Sequence, residues 1–404
     1  MRSMLKSVRL KNFFGFRDVK INLHPCENIL IGINGSGKSN FFKAIQLLKE
    51  GVAEGGLKRL IFNKWGGFDN ICFSDMTDRN EAKDIILEYQ FAGDVIKNFG
   101  FQFTEDVYYR ISICGVPGQS NYHISEKMYL PRQDTEDFIY ISLDNGSGVL
   151  FGKDADDNRR NLVYQNLDPQ ELALSQVKDP ERFFIQHTIQ KAISEIMAYH
   201  YFDTTPVSKI RKPMFPTSEK KLLSDGSNLP QILNILKINH RSHFKKILEK
   251  LNEVNEHYKD INFNMIGGNI ELMMEEENLG RAIHVNSLSD GTLHFLCLLS
   301  IFYNPNRGNL ICIDEPETGL HPDMIFNIIN AIHDISDETQ MMIATHSENV
   351  VNGFSLENIR VFEKSNKNET SIGEYSEEDF EGWYDEYCLV GKRWRQGDFG
   401  GNRW

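Results

Sequence analysis

The octapeptide Gly32-Ile33-Asn34-Gly35-Ser36-Gly37-Lys38-Ser39 constrains this 404-residue chain more than any other segment. Its glycines let the backbone turn N–H groups inward around an anion, and a helix beginning at Lys38 adds the positive end of its dipole at the same spot. Such a loop needs a strand before it and a helix after it. Residues 28–31 form a short apolar run that reads as the strand, and Phe41, Phe42, Ile45 and Leu48 recur at helical spacing. Pattern and setting together match a phosphate-binding loop. The backbone at Asn34, Gly35 and Gly37 would cradle phosphate oxygens, Lys38 would reach the β and γ phosphates of a nucleotide, and Ser39 would ligate magnesium.

A second constraint lies far downstream, where the apolar run Leu310-Ile311-Cys312-Ile313 ends in Asp314 and Glu315. Ligands of open parallel α/β sheets collect at the carboxyl ends of strands. Asp314 suits magnesium or its water shell, and Glu315 suits a general base or water-orienting group. Alone, this pattern is equally an ordinary strand end and turn. The phosphate loop upstream makes it the second half of one site.

The rest of the chain arranges itself around these two pieces. Residues 5–10 and 19–23 alternate apolar with polar side chains, and residues 84–153 do so over several runs, which predicts an antiparallel sheet. Residues 181–199 and 229–258 read as helical, the second with Phe244, Ile247, Leu248, Leu251 and Val254 on one stripe, and no heptad run is long enough for a coiled-coil arm. Residues 261–275 predict a hairpin around Gly267-Gly268-Asn269. The last third alternates a helix from Gly291, a strand at 310–313, a helix from Pro322 and a strand at 341–344, the order of a parallel α/β sheet.

Leu288-Ser289-Asp290-Gly291-Thr292 before an apolar helix, then Asp314-Glu315-Pro316-Glu317-Thr318-Gly319-Leu320-His321-Pro322, then Ala344-Thr345-His346-Ser347, resemble the ABC-type ATPase heads of the RecF and SMC group. Within that group the chain is most similar to the ATPase portion of overcoming-lysogenization-defect (OLD) proteins and related phage-defence ATPases. The resemblance implies an α/β fold of the ABC-type ATPase head, a phosphate-loop parallel sheet plus an antiparallel β subdomain, with an inserted helical subdomain. It divides the chain into an N-terminal lobe (1–160), a helical insertion (161–260), a C-terminal lobe (261–375) and a tail (376–404). It implies ATP and Mg2+ as ligands, with Glu315 and His346 catalytic, His346 being the switch histidine that senses the γ phosphate. Leu288, Ser289, Asp290 and Gly291 become the signature that caps a nucleotide held by the opposite subunit, and residues 319–322 the D-loop. The tetrad Leu-Ser-Asp-Gly also occurs at Leu223-Ser224-Asp225-Gly226; the later copy is the expected signature because it precedes the acid-tipped strand at the family spacing. The family's Q-loop glutamine has only Gln90 and Gln102 as candidates. The Toprim nuclease domain of full-length OLD proteins is expected to be absent.

Composition narrows the function classes. With 40% hydrophobic and 25% charged residues the chain is neither fibrous nor disordered, and no apolar run approaches a membrane span, so a cytoplasmic protein is expected. The formal charge of -13 argues against a general nucleic-acid coat while leaving room for a local basic groove. Six scattered cysteines without a CxxC pair read as reduced thiols, and His240 with His243, three apart on one helix, lack an evident third metal ligand. The tail places Trp383, Trp394 and Trp404 among Lys392, Arg393, Arg395 and Arg403, a composition that serves self-packing, a protein partner or nucleic acid. The expected function is an ATP-hydrolysing homodimer or larger homo-oligomer that gates a separate effector, nuclease-like, in prokaryotic anti-phage defence, with DNA a further partner. The rival is a DNA-clamp or DNA-repair ATPase similar to RecF.

Overall fold

The computed structural model describes residues 3–74, 84–103, 105–115, 121–132, 135–154, 156–380 and 389–400. An eight-stranded antiparallel sheet is built from β1 (Leu5–Phe13), β2 (Phe16–Asn22), β4 (Ile85–Phe91), β5 (Val107–Gly115), β6 (Tyr122–Leu130), β7 (Phe138–Asp144), β8 (Ser147–Lys153) and β9 (Arg159–Tyr164), in the order β2-β1-β4-β5-β6-β7-β8-β9. Its period-two pattern divides the faces. Ile85, Leu87, Tyr89 and Phe91 of β4 are buried with Val107, Tyr109, Ile111 and Ile113 of β5, while Glu88 and Arg110 pair at 2.6 Å on the outer face.

A six-stranded sheet contains β3 (Glu27–Ile31), β10 (Ile196–Tyr199), β14 (Leu310–Asp314), β15 (Gln340–Thr345), β16 (Ile359–Lys364) and β17 (Thr370–Glu374), ordered β10-β14-β15-β3-β16-β17. Its pairings are parallel except that of β17 with β16. Both faces are covered, which explains the continuous apolar runs. Leu30, Cys312, Met342 and Ala344 join the core shared with the Lys38–Gly51 helix and the antiparallel sheet, while Ile29, Ile31, Ile311, Ile313 and Ile343 face the Leu229–Asn239, Asp290–Phe302 and Pro322–Ser336 helices. The fully buried Gln340 side chain ties the two sheets together. It accepts from the Met4 and Leu5 amides at 3.1 and 3.0 Å and donates to the Leu5 and His24 carbonyls at 2.8 and 3.0 Å.

A third sheet, β11 (Tyr258–Ile266), β12 (Asn269–Glu276) and β13 (Ile283–His284), contains the expected hairpin. Gly267 and Gly268 have φ of 58° and 83°, the left-handed pair that a two-residue turn between twisted strands requires.

Two segments differ from the sequence expectation. The helix expected over 181–199 is Phe184–Ser194 followed by strand β10, because a four-residue apolar run has no distinguishing period and pairing with β14 decides its state. β10 therefore places part of the 161–260 span in the parallel sheet, and β9 carries the antiparallel sheet past residue 160. The helix expected over 229–258 is two helices, Leu229–Asn239 and Arg241–Val254, broken at His240 with φ -134° and ψ 57°.

The tail packs on its own chain where described. Trp394, on the Val390–Gln396 helix, is 6% exposed in the core beside Val350 and Val351, and Phe399 meets Tyr375 with ring centroids 5.6 Å apart. Trp383, Trp404 and Arg403 lie outside the described residues, as does Cys388; the other five cysteines are free thiols. Among the described residues no helix is long and apolar enough to cross a membrane.

Candidate functional site

The parallel registers bring four strand ends to one edge. Tyr199 stands opposite Ile313, Asp314 opposite Ala344, and Thr345 opposite Ile31, so the next residues of β10, β14, β15 and β3 are His200, Glu315, His346 and Gly32. At Gly32 a Cβ would lie 2.4 Å from the Phe362 carbonyl oxygen, and at Gly37, where φ is 117°, it would lie 2.7 Å from Thr370 Oγ1. Glycine is therefore required at both positions. Thr370 also donates from Oγ1 to the Ser36 carbonyl at 2.9 Å, fixing the loop from β17.

The cradle has donors to spare. No side chain caps the Lys38–Gly51 helix and its first turn carries no acid, so its first N–H groups remain for an anion. Ser36 Oγ is buried without a partner, whereas Asn34, Gly35 and Ser39 are exposed, with open space where a Cβ on Gly35 would stand. The Lys38 ammonium lies back over the loop, donating to the carbonyls of Gly32 at 2.7 Å and Ile33 at 3.3 Å. Burial pulls its pKa down to about 8, against the opposing pull of Asp314, Glu315 and Glu317.

Those carboxylates come from the last residue of β14, Asp314, and from the turn that follows it. Glu315 takes φ 51°, a left-handed conformation held by its amide donating to the Ala344 carbonyl at 2.8 Å. Its Oε1 lies 3.3 Å from His346 Nε2. Burial, reinforced by the Lys38 charge, lowers the His346 pKa, while Glu315, Asp314 and a hydrogen bond to the Gly32 carbonyl oppose that shift. Glu317 accepts from Thr345 Oγ1 at 2.5 Å and from the His346 amide at 3.2 Å; its Oε2 is shielded without a partner, and burial raises its pKa. The structure thus gathers Lys38, Asp314, Glu315 and His346 at one sheet edge. The residues fit a nucleotide phosphate and Mg2+. No group of three or more His, Cys, Asp or Glu forms a metal cage among the described residues, and magnesium is commonly held by one or two carboxylates with substrate phosphates completing its shell.

Leu288, Ser289, Asp290 and Gly291 stand on a separate support. Ser289 caps the Asp290–Phe302 helix, its Oγ accepting from the Thr292 amide at 3.0 Å. The buried Arg211 guanidinium donates to the carbonyls of Thr204, Val285 and Leu288 at 2.8, 2.8 and 2.9 Å and to Asp290 Oδ1 at 2.6 Å. Gly291 lies against the Gly319 carbonyl, where a Cβ would stand 2.9 Å away. Among the described residues no hydrogen bond or ion pair joins residues 288–291 to the phosphate loop, although Ser289 and Asp290 are exposed.

Sequence reasoning missed several residues here. His200 Nδ1 lies 3.7 Å from Asp314 Oδ2, hidden at sequence level because β10 read as helix. Glu317 was visible only as part of a motif, and Arg211 and Thr370 act through carbonyls that no side-chain pattern announces. Gln90 accepts from Ser7 and donates to Asp106 within the antiparallel sheet, and Gln102 is exposed in a loop, so neither is tied to the acidic turn. The His240 and His243 rings stand 6.1 Å apart without forming a metal cluster.

Known proteins place this geometry in a fold. The chain is 14% identical to a solved structure described as the SmcHead bound to the C-winged helix domain of ScpA, covering 93% of this chain and 99% of that one with a TM-score of 0.60. An Smc head domain with an extended coiled coil, bound to the C-terminal domain of ScpA derived from Pyrococcus furiosus, matches at 12% identity over 95% and 99% of the two chains with a TM-score of 0.59. Among curated proteins, the DNA replication and repair protein RecF of Lactococcus lactis subsp. cremoris strain MG1363 is 46% identical over 44 residues, and that of L. lactis subsp. lactis strain IL1403 is 43% identical over 44. Those matches span 11% of this chain and 12% of the relatives' length. The fold is therefore that of an SMC-type, ABC-like ATPase head. Residues 28–352 match the family described as "AAA domain, putative AbiEii toxin, Type IV TA system", and the chain belongs to that family of P-loop ATPases.

Proposed function

We propose that this protein is an ATP-hydrolysing switch that closes as a homodimer around two nucleotides and gates a separate effector. The observation that carries the reading is the division of the site. Lys38 and the acidic turn share one sheet edge, while residues 288–291 are exposed on their own support without a hydrogen bond to that edge. A second subunit would bring its capping surface to the first subunit's loop.

In this reading Lys38 and the loop amides hold the β and γ phosphates, and Ser39 with Asp314 holds Mg2+, which offsets phosphate charge. Glu315 orients and deprotonates the attacking water, and His346, 3.3 Å from it, links that carboxylate to the Gly32 carbonyl. Ser289 and the first N–H groups of the Asp290–Phe302 helix of the other subunit cap the γ phosphate. The effector is a distinct, nuclease-like protein in an anti-phage or toxin–antitoxin setting within the cytoplasm, a reading supported by the family description and by the OLD-like motif order. The 44-residue RecF similarity favours a second reading, a DNA clamp.

The test is the solution mass of Glu315→Gln protein with and without ATP and Mg2+. An ATP-dependent doubling, absent in Lys38→Ala, is expected. A mass that ignores ATP while DNA affinity falls log-linearly with salt would replace the switch by the clamp.

A further inference from the structure

We propose that the outer edge of the parallel sheet carries a binding cleft for a small organic oxyanion, a carboxylate or phosphate ester of one net charge on a compact apolar body. The cleft is separate from the phosphate loop. β10 is the last strand of its sheet, and edge strands are ordinarily paired, covered or charged. Residues 218–224 face that edge, yet among the described residues no backbone hydrogen bond joins them to β10. The gap between them is a cleft of about 560 Å³, within the size range of small-molecule sites.

The facing segment is neither helix nor strand, but its backbone is pinned. The consecutive carbonyls from Glu219 to Leu222 each accept from a different buried side chain: Gln231 Nε2 at 2.7 Å, Asn304 Nδ2 at 2.8 Å, Asn228 Nδ2 at 2.9 Å and the Tyr199 hydroxyl at 3.1 Å. Irregular backbone held so completely keeps the side chains it carries in place over the gap.

Lys49 is the charge in the cleft that lacks a partner. It lies near the far end of the Lys38–Gly51 helix, about 16 Å along the axis from Lys38. It is half-buried, and among the described residues its ammonium has neither a hydrogen bond nor an ion pair. Burial lowers its pKa, as does the Lys221 charge, against the opposing pull of Cys312, Glu50 and Glu195. The two acids are engaged elsewhere, Glu195 with Lys221 and Glu50 with Lys64 at 2.8 Å. Lys220, Lys221 and Glu219 also line the cleft, so that Lys49, Lys220 and Lys221 set against Glu195 and Glu219 leave one unbalanced positive charge. That charge calls for a monoanion, and Met197, Ala198, Leu222 and the 39% exposed Leu223 offer an apolar wall for the rest of the ligand.

The test titrates the full chain with anilinonaphthalene sulfonate, an apolar monoanion that fluoresces when bound. A saturable site with Kd below about 100 μM is expected, unchanged in Lys38→Ala and weakened about tenfold or more in Lys49→Met. Lys220→Glu, at an exposed position outside the packed interior, should weaken it about threefold or more. An unchanged Kd in Lys49→Met or in Lys220→Glu overturns the proposal, as does a loss confined to Lys38→Ala, which would put the dye in the phosphate loop. Competition then identifies the anion. Displacement by phenylacetate supports a carboxylate ligand and displacement by phenyl phosphate a phosphate ester, whereas displacement by neither overturns the site.

Discussion

The chain carries Leu-Ser-Asp-Gly twice, and the two copies have different structures. In the first, Asp225 accepts from Ser227, Asn228 Oδ1 accepts from the Leu223 amide, and Gly226 at φ 70° is walled in by Ile210, Phe202 and Cys297. In the second, Ser289 caps a 13-residue helix and remains exposed. The walls of the first copy belong to the support of the second. Cys297 lies on the helix that Ser289 caps, Phe202 meets the His294 ring of that helix at 5.6 Å, and Ile210 precedes the Arg211 clamp. Identical tetrads thus take different conformations because the flanking residues offer different partners. One is a buttress through its buried glycine, and the other is a helix cap with its serine exposed.

That contrast can be broken at its strongest point first. Arg211→Ala strands three buried carbonyls, at about 1–3 kcal/mol each before relaxation, and should cost about 3 kcal/mol or more of unfolding free energy by urea titration. A loss below about 1 kcal/mol would mean that the second copy is held by its helix alone. Next comes acid. Burial holds the His294 pKa down to about 4 against an ordinary 6.5, while its hydrogen bond to the Thr318 carbonyl opposes the shift. Between those values the unfolded chain binds more protons than the folded one, so stability rises with pH across the window, by up to about 3 kcal/mol. His294→Leu should flatten that segment of a pH–stability curve; an unchanged slope assigns the acid sensitivity elsewhere.

Gly226→Ala should cost about 1–3 kcal/mol, since alanine there is strained at positive φ and meets Ile210 at 2.8 Å. Thermal melting checks it, and a neutral result would remove the buttress. The smallest effects separate the serines. Ser289→Ala loses a helix cap, about 1 kcal/mol, whereas the exposed Ser224→Ala should stay within about 0.5 kcal/mol. Arginine at each position sharpens the functional side, because Ser289→Arg should abolish ATP-dependent dimerisation with nucleotide binding intact and Ser224→Arg should alter neither.

Most of the strands were legible because their burial is simple. β4, β5 and β6 bury alternate residues, and β3, β14 and β15 sit inside a two-sided layer, so both patterns appear directly as periodicity. Lys38, Asp314, Glu315 and His346 were legible as motif members since each lies next to a glycine loop or a strand end. His200 was not. Its strand is four residues long and follows a helix of similar apolar content, so only pairing with β14 brings it to the site. Trp394 likewise gave no sign of its direction, because a tryptophan among arginines serves a core or an interface equally well.

The amino-acid sequence by itself determined the local chemistry: a glycine loop able to wind around an anion, a lysine and serine at a helix start, and acids at the end of an apolar strand. Those follow from backbone freedom, side-chain donors and hydrophobic period, all properties of short segments. Only the tertiary structure decided which distant segments share an edge. It set His200 beside Asp314, shielded one oxygen of Glu317, seated the glycine of one tetrad against Ile210 and put the serine of its twin at a helix cap. The physical reason is that sheet register and burial depend on contacts between residues far apart in the chain, and no local pattern encodes the partner.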